Sequence, residues 1–135
     1  MIHEEICTYE VSQLAKEKGF NVQTFDWYDY TGNYHKGFIP HELHECPRYK
    51  EYYAPTQSLL QRWLREVHNL HIDVGVWEDC DEDADGLCCG TYSYWSFNIQ
   101  SCFTGDLIYE EFEHRYDTYE QAVEDALKYT LKFLV

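Results

Sequence analysis

The fold of this chain is decided by the stretch Ala54-Pro-Thr-Gln-Ser-Leu-Leu-Gln-Arg-Trp-Leu-Arg-Glu-Val-His-Asn-Leu-His-Ile72. Thr56 is a preferred residue for a helix N-cap, and Asn69 can end the helix that follows. Between them, apolar residues recur every three or four positions, which predicts a helix with one buried face. That face is predicted to comprise Leu59, Leu60, Trp63, Leu64 and Val67.

Three strands are predicted after this helix, because alternation of apolar and polar residues is typical of a half-buried strand. Apolar residues occupy every second position from Leu70 to Val76, and again from Trp95 to Ile99. The turn Thr104-Gly-Asp106 leads into a third strand, predicted over Leu107 to Phe112. Consecutive strands joined by turns predict one antiparallel sheet.

A last helix is predicted after the third strand, with an apolar stripe that runs to Leu131. Two capping boxes are available for its start, Asp117 with Glu120 and Thr118 with Gln121. From residue 54 onward the predicted order is therefore helix, three strands, helix. Covering one sheet face with both helices is the economical packing, so we expect a two-layer α+β domain.

The first 53 residues are predicted to form a short helix followed by an irregular aromatic arm. The segment Thr8 to Lys18 has helical apolar spacing. Aromatic residues on both sides of Thr31-Gly-Asn33 predict an irregular hairpin over Phe25 to Phe38. Prolines at positions 40 and 47 predict an extended loop up to residue 53. We expect residues 1–53 and 54–135 to form a single domain.

The chain of 135 residues has a formal net charge of −15, with 10 Lys and Arg against 25 Asp and Glu. Nucleic-acid affinity depends mainly on cations that displace counterions, so this balance argues against direct nucleic-acid binding. The start of the sequence lacks the features of a signal peptide, and no window is apolar for long enough to span a membrane. We therefore expect a cytoplasmic protein whose six cysteines are thiols. They are Cys7, Cys46, Cys80, Cys88, Cys89 and Cys102.

A calcium-like pattern occurs at Asp81-Glu-Asp-Ala-Asp-Gly86, where carboxylates take alternate positions before a glycine. The candidate calcium ligands are Asp81, Asp83 and Asp85. The second half of the pattern is missing, because position twelve is Tyr92 instead of a bidentate Glu. An acidic hairpin tip that stays in water is the alternative interpretation.

Zinc is a second candidate metal. Cysteines 80, 88, 89 and 102 lie around the acidic stretch, and His41-Glu-Leu-His-Glu-Cys46 adds two imidazoles and a thiol. A structural zinc site needs four such ligands in tetrahedral array, but no Cys-x-x-Cys knuckle is present. Small buried thiols are the alternative interpretation. Motifs for a nucleophile elbow, a phosphate loop or a dinucleotide site are also missing.

Two stretches resemble a known group of proteins. Ser12-Gln-Leu-Ala-Lys-Glu-Lys-Gly-Phe20 and, above all, the stretch from Ala54 to Ile72 are similar to small uncharacterised proteins of phages, prophages and mobile elements of gut anaerobes. Tyr119-Glu-Gln-Ala-Val-Glu-Asp-Ala-Leu127 is similar to the helix that ends those proteins. The resemblance implies a phage-related protein but carries no activity or functional residues.

The predicted element order is also similar to that of double-stranded RNA-binding domains, but this likeness concerns topology alone. Those domains bind RNA with lysines at the start of the last helix. Here, Arg115-Tyr-Asp-Thr-Tyr-Glu120 supplies mostly acidic or neutral groups at that place. The charge therefore excludes the RNA-binding function even where the topology agrees.

The sequence predicts a non-catalytic protein that acts by binding an unidentified protein partner. A sharper form of this prediction is acidic mimicry of nucleic acid, in which carboxylates block a basic enzyme. A metal-binding module or metal-dependent enzyme that uses residues 81–89 is the alternative, and an assembly role in a phage particle stays open. The candidate partner-binding residues are the polar side chains expected on the solvent face of the central helix: Gln57, Gln61, Arg62 and Arg65.

Overall fold

The computed structural model describes residues 3–37 and 51–135. Within these ranges the chain is α+β, with three α-helices and two three-stranded antiparallel sheets. None of the helices in the described ranges is long and apolar enough to cross a membrane. In chain order the elements are α1 Tyr9–Glu17, β1 Trp27–Tyr28, β2 Tyr34–His35, β3 Tyr52–Tyr53, α2 Gln57–His68, β4 Leu70–Glu82, β5 Cys88–Ser101, β6 Leu107–Glu110 and α3 Tyr119–Phe133.

Helix α2 begins and ends where the sequence predicts. The Thr56 hydroxyl accepts the backbone N–H of Leu59 at 3.1 Å, which caps the helix. Asn69 has a φ of 58°, the left-handed conformation that ends many helices and that Asn tolerates. Trp63 is buried as predicted, whereas Val67 is 56% exposed. Val67 continues the apolar stripe into the last turn, where no element of the described residues covers it.

The large sheet has the strand order β4-β5-β6, and both strand pairs are antiparallel. The β4–β5 register pairs Ile72 with Ile99 and Val74 with Phe97, so these side chains share one face. Helix α2 contacts β4, and α3 contacts both β4 and β5. From residue 54 onward, the helix, three strands, helix order is therefore observed.

The packing is more elaborate than the predicted two layers. Helix α1 packs mainly against α3 and β3, and the strands β1 to β3 form a second, small sheet in the order β2-β1-β3. A single hydrophobic cluster nevertheless joins Val11 of α1 to Leu64, Phe97 and Leu127. The sequence did not reveal the small sheet, because strands of two residues are too short to show periodicity.

The aromatic hairpin that the sequence predicts corresponds to β1 and β2. Asp29 shapes its turn: Oδ1 accepts the backbone N–H groups of Thr31 and Asn33 at 2.9 and 3.0 Å, and Oδ2 contacts His35 Nε2 at 2.8 Å. Hydrogen bonds, first from the Thr31 hydroxyl and then from His35, hold the pKa of Asp29 well below its usual range. Most of the predicted extended loop lies outside the described residues.

A carboxylate on α3 ties the three helices together. Glu124 Oε1 accepts the backbone N–H of Thr8, the N-cap residue of α1, at 2.7 Å. Glu124 Oε2 accepts Nε2 of Gln57, in the first turn of α2, at 2.8 Å. The same Gln57 nitrogen donates to the carbonyl oxygen of Glu120 at 3.0 Å. Gln57 is only 5% exposed because α3 covers it, so the prediction that it faces solvent is wrong.

Candidate functional site

The strands β4 and β5 extend beyond the rest of the large sheet as a two-stranded ribbon, residues 77–94, which we call the acidic arm. A backbone bridge between Trp95 and Tyr116, with N···O distances of 2.8 and 3.0 Å, lies at its base. Beyond this bridge β4 and β5 have only each other as strand neighbours within the described residues. Every residue from 81 to 91 is exposed, so the outer half of the arm is open to a partner.

The end of the arm is a tight turn built by its own polar residues. Asp83 Oδ1 accepts the backbone N–H groups of Asp85 and Leu87 at 2.9 and 3.0 Å. Gly86 has a φ of +78°, the left-handed conformation that three-residue hairpin loops commonly need. The spacing of Asp and Gly in this segment is therefore explained by the turn.

The three predicted calcium ligands do not converge on one point. Asp81 lies within β4, the carboxylate of Asp83 is used by the turn, and Asp85 lies in the loop itself. Residues 3–37 and 51–135 contain no group of three His, Cys, Asp or Glu side chains that could hold a metal ion. The structure thus matches the alternative interpretation of this segment, an acidic hairpin tip in water.

A disulfide joins Cys80 and Cys88 across the arm, with a Cα–Cα distance of 5.7 Å. The prediction that all six cysteines are thiols is therefore wrong for this pair. The β4–β5 register pairs Cys80 with Thr91 and Cys88 with Glu82, so the two cysteines are not directly opposite, but the fold of the hairpin brings them within disulfide range. The neighbouring Cys89 is exposed and free. The other zinc candidates, His41 to Cys46, lie outside the described residues.

Carboxylates dominate the arm. Five of the six residues from 78 to 83 are acidic, and all five lie in β4 or directly after it: Glu78, Asp79, Asp81, Glu82 and Asp83. At about 3.3 Å per residue these six positions span about 17 Å, and because successive side chains point to opposite faces of the ribbon, neighbouring carboxylates on one face are about 6.6 Å apart. No Lys or Arg occurs between Arg65 and Arg115, so the chain supplies few counterions of its own.

One face of the arm is aromatic. The register places Trp77 opposite Tyr94 and Asp79 opposite Tyr92. Arg115 reaches this face from the segment before α3: its Cζ lies 5.5 Å from the Tyr92 ring and 4.9 Å from the Tyr94 ring. Its guanidinium also pairs with Asp79. Within the described residues, Asp79 is therefore the only carboxylate of the arm with an ion pair.

The pKa values of Arg115 and of Tyr92 are both shifted at this face. A hydrogen bond to Tyr94 is the main cause that raises the pKa of Arg115, and nearby negative groups act in the same direction. Burial raises the pKa of Tyr92, although the Arg115 cation opposes the change. Arg115 is thus a permanently charged clamp that holds Asp79 and the tyrosine rings in place.

The four predicted partner-binding residues do not form one site. Gln57 is buried between α2 and α3. Gln61 lines a cleft of about 230 Å³ that also includes Tyr119 at the start of α3. Arg62 and Arg65 are exposed as expected, and both line a separate cavity of about 570 Å³ beside the N-terminal segment. The predicted residues thus fall into two pairs: Gln57 and Gln61 line the smaller cleft, and Arg62 and Arg65 line the larger cavity.

Comparison with protein-family models, curated proteins and solved structures finds no match to this chain. The resemblance to phage and mobile-element proteins therefore stays a prediction. Function has to be inferred from the placement of the chain's own residues.

Proposed function

We propose that this chain is a non-catalytic binding protein whose acidic arm docks on the basic surface of a partner protein. The proposal is carried by one observation: the ribbon presents five carboxylates within six positions without Lys or Arg among them, and four of the five are exposed, whereas Asp79 pairs with Arg115. A surface of one charge sign attracts a surface of the opposite sign and speeds the encounter. Because Lys and Arg line nucleic-acid-binding surfaces, the nucleic-acid-binding groove of a protein is the partner surface that we propose.

Aromatic side chains give the arm a means of specific binding. Charge alone produces weak, salt-sensitive association, whereas Trp and Tyr are the residues on which interface energy concentrates. Trp77, Tyr92 and Tyr94 lie on the arm beside the carboxylates, and Arg115 holds the two tyrosine rings. This combination supports a protein partner with its own apolar contacts, in preference to a simple cation.

The origin of the protein belongs to the same proposal. A phage or mobile-element origin rests on the resemblance in residues 12–20 and 54–72. A metal-dependent function is not retained, because Asp81, Asp83 and Asp85 are held apart by the strand and the turn.

Two variants with the same net charge test the proposal. In the arm variant, amides replace four carboxylates, whereas Asp79 and Asp83 are kept because they pair with Arg115 and shape the turn. In the control variant, amides replace four exposed carboxylates outside the arm, so both net charges change by four, from −15 to −11. The arm variant carries Glu78→Gln, Asp81→Asn, Glu82→Gln and Asp85→Asn; the control carries Glu17→Gln, Asp106→Asn, Glu113→Gln and Glu120→Gln.

Each protein is immobilised and incubated with a bacterial lysate at about 0.15 M ionic strength, and retained proteins are identified by mass spectrometry. We expect wild type and control to retain the same basic proteins, the arm variant to lose them, and duplex DNA to compete. Equal losses from both variants would show that net charge alone matters. Retention that persists at about 1 M salt would exclude the electrostatic mechanism.

A further inference from the structure

The cavity that Arg62 and Arg65 line has an unusual charge distribution for so acidic a chain. It has a volume of about 570 Å³, within the usual range for ligand sites, which is roughly 300–1,000 Å³. Its walls come from the N-terminal segment, from residues 23–26, and from residues 54–65 at the start of α2. Ser58, Arg62 and Arg65 follow the spacing of one helix face, so both cations point to the same side of α2.

The two carboxylates in this cavity are already engaged. Glu4 Oε1 accepts the hydroxyl of Ser58 at 2.9 Å. Asp26 Oδ2 accepts the hydroxyl of Tyr34, and its Oδ1 accepts the backbone N–H of Gly37 at 3.4 Å. Neither carboxylate makes an ion pair with an arginine among the described residues. Negative charge is thus present in the cavity, and Glu4 contacts the same face of α2 as the arginines, but neither carboxylate neutralises Arg65 through an ion pair among the described residues.

Arg62 and Arg65 differ in whether their guanidinium groups have a hydrogen-bond or ion-pair partner. Arg62 Nε donates to Glu66 Oε1 at 2.8 Å, one helical turn further along. Arg65 has no ion pair or side-chain hydrogen bond within residues 3–37 and 51–135. A guanidinium presents a planar array of donors that matches a carboxylate. Arg65 is therefore an available anion-binding group beside an apolar surface formed by Ile6, Ala54 and Leu59.

We propose that this cavity binds the C-terminal residue of a peptide, with the terminal carboxylate on Arg65 and an apolar side chain against Ile6, Ala54 and Leu59. An open cavity suits a chain end, because the preceding residues can leave through the exposed side, where Glu4, Ser58 and both arginines face solvent. This site prefers an anion, unlike the acidic arm, and does not depend on the function proposed for the arm.

The probe is the peptide acetyl-Gly-Gly-Ser-Leu with a free C-terminal carboxylate, titrated into ¹⁵N-labelled protein and followed by NMR. We expect the backbone resonances of Leu59, Arg62 and Arg65 to shift, and the C-terminal amide form of the same peptide to bind at least about fivefold more weakly. The comparison of the two peptides uses wild-type protein only, so it does not depend on how well a variant folds. Equal binding of the two forms, or shifts confined to other surfaces, would overturn the proposal.

Two variants of equal charge complete the test. Arg65→Gln should weaken binding by roughly three- to tenfold, whereas Lys132→Gln, which removes an exposed cation on α3, should leave it unchanged. Equal effects of the two variants would overturn the assignment of Arg65. Hexanoate binding as tightly as the peptide would assign the cavity to small organic acids instead. Shifts of the same resonances on raising protein concentration without peptide would assign it to a second copy of the chain.

Discussion

Replacing Glu124 with Gln should lower the free energy of unfolding by about 2 kcal/mol, because this carboxylate joins the three helices. It accepts the Thr8 backbone N–H at 2.7 Å and Gln57 Nε2 at 2.8 Å. A Gln side chain keeps one acceptor oxygen, but its NH₂ group faces the second donor, which then lacks an acceptor. Gln57 is 5% exposed, so water cannot fully replace the lost bond.

The magnitude follows from the two bonds. A hydrogen bond to a charged group contributes about 1.5–3 kcal/mol, and an unsatisfied buried donor costs about 1–3 kcal/mol. Glu124 itself is half-buried, which places the expected loss at the lower end, near 2 kcal/mol. Since small domains have total stabilities of about 5–15 kcal/mol, such a loss is readily measured.

Urea denaturation followed by circular dichroism provides the assay. The control is Glu120→Gln, one turn earlier on α3, whose exposed side chain makes no hydrogen bond in the described residues and should cost less than about 0.5 kcal/mol. A double-mutant cycle with Gln57→Leu should show a coupling energy of about 1 kcal/mol. Equal losses for Glu124→Gln and Glu120→Gln, or a coupling near zero, would refute the role of Glu124. Folded Gln57→Leu should still retain the partners of the acidic arm, since Gln57 is structural.

Three further outcomes are expected. Reducing the Cys80–Cys88 disulfide, which closes a loop with a sequence separation of 8, should destabilise the arm by about 2.5 kcal/mol and speed amide exchange there, while exchange in the helical core stays slow. Burial acts to raise the pKa of Glu111, but hydrogen bonds from the Tyr109 hydroxyl and two backbone amides outweigh it and lower the pKa. Ionised Glu111 therefore stabilises the fold above its unfolded pKa of 4.5, and this stabilisation is lost as the pH falls through the lower folded pKa. Glu111→Gln should therefore reduce the loss of unfolding free energy in acid, and an unchanged dependence on pH would contradict this. Asn69→Ala should cost about 1 kcal/mol in thermal or chemical unfolding because of the φ of 58°, whereas Asn69→Gly should be nearly neutral.

The helices were predictable because their signals are local. Thr56 and Asn69 cap α2 through bonds and backbone angles that involve only neighbouring residues. Local signals did not fix the start of α3, since two capping boxes fit the sequence there. The structure uses Thr118, whose hydroxyl accepts the N–H of Gln121 at 3.2 Å.

The candidate site was predictable only in part. The acidic segment was visible in the sequence, but alternate carboxylates suit both a calcium loop and a hairpin turn. The β4–β5 pairing distinguishes the hairpin turn from the calcium loop, because it places Asp81 on a strand and leaves the carboxylate of Asp83 to accept hydrogen bonds in the turn. Arg115 had no visible connection to this segment, since 36 positions separate it from Asp79.

The sequence by itself determined the α+β class, the bounds of the central helix, the order of elements from residue 54, and an acidity that disfavours direct binding of nucleic acid. Tertiary structure alone decided which polar residues are available to a partner. It buried Gln57 under α3, joined Cys80 to Cys88, and left Arg65 without a counterion among the described residues. The reason is physical: helix caps and apolar periodicity depend on residues within a few positions, whereas exposure and pairing depend on residues that only the folded chain brings together.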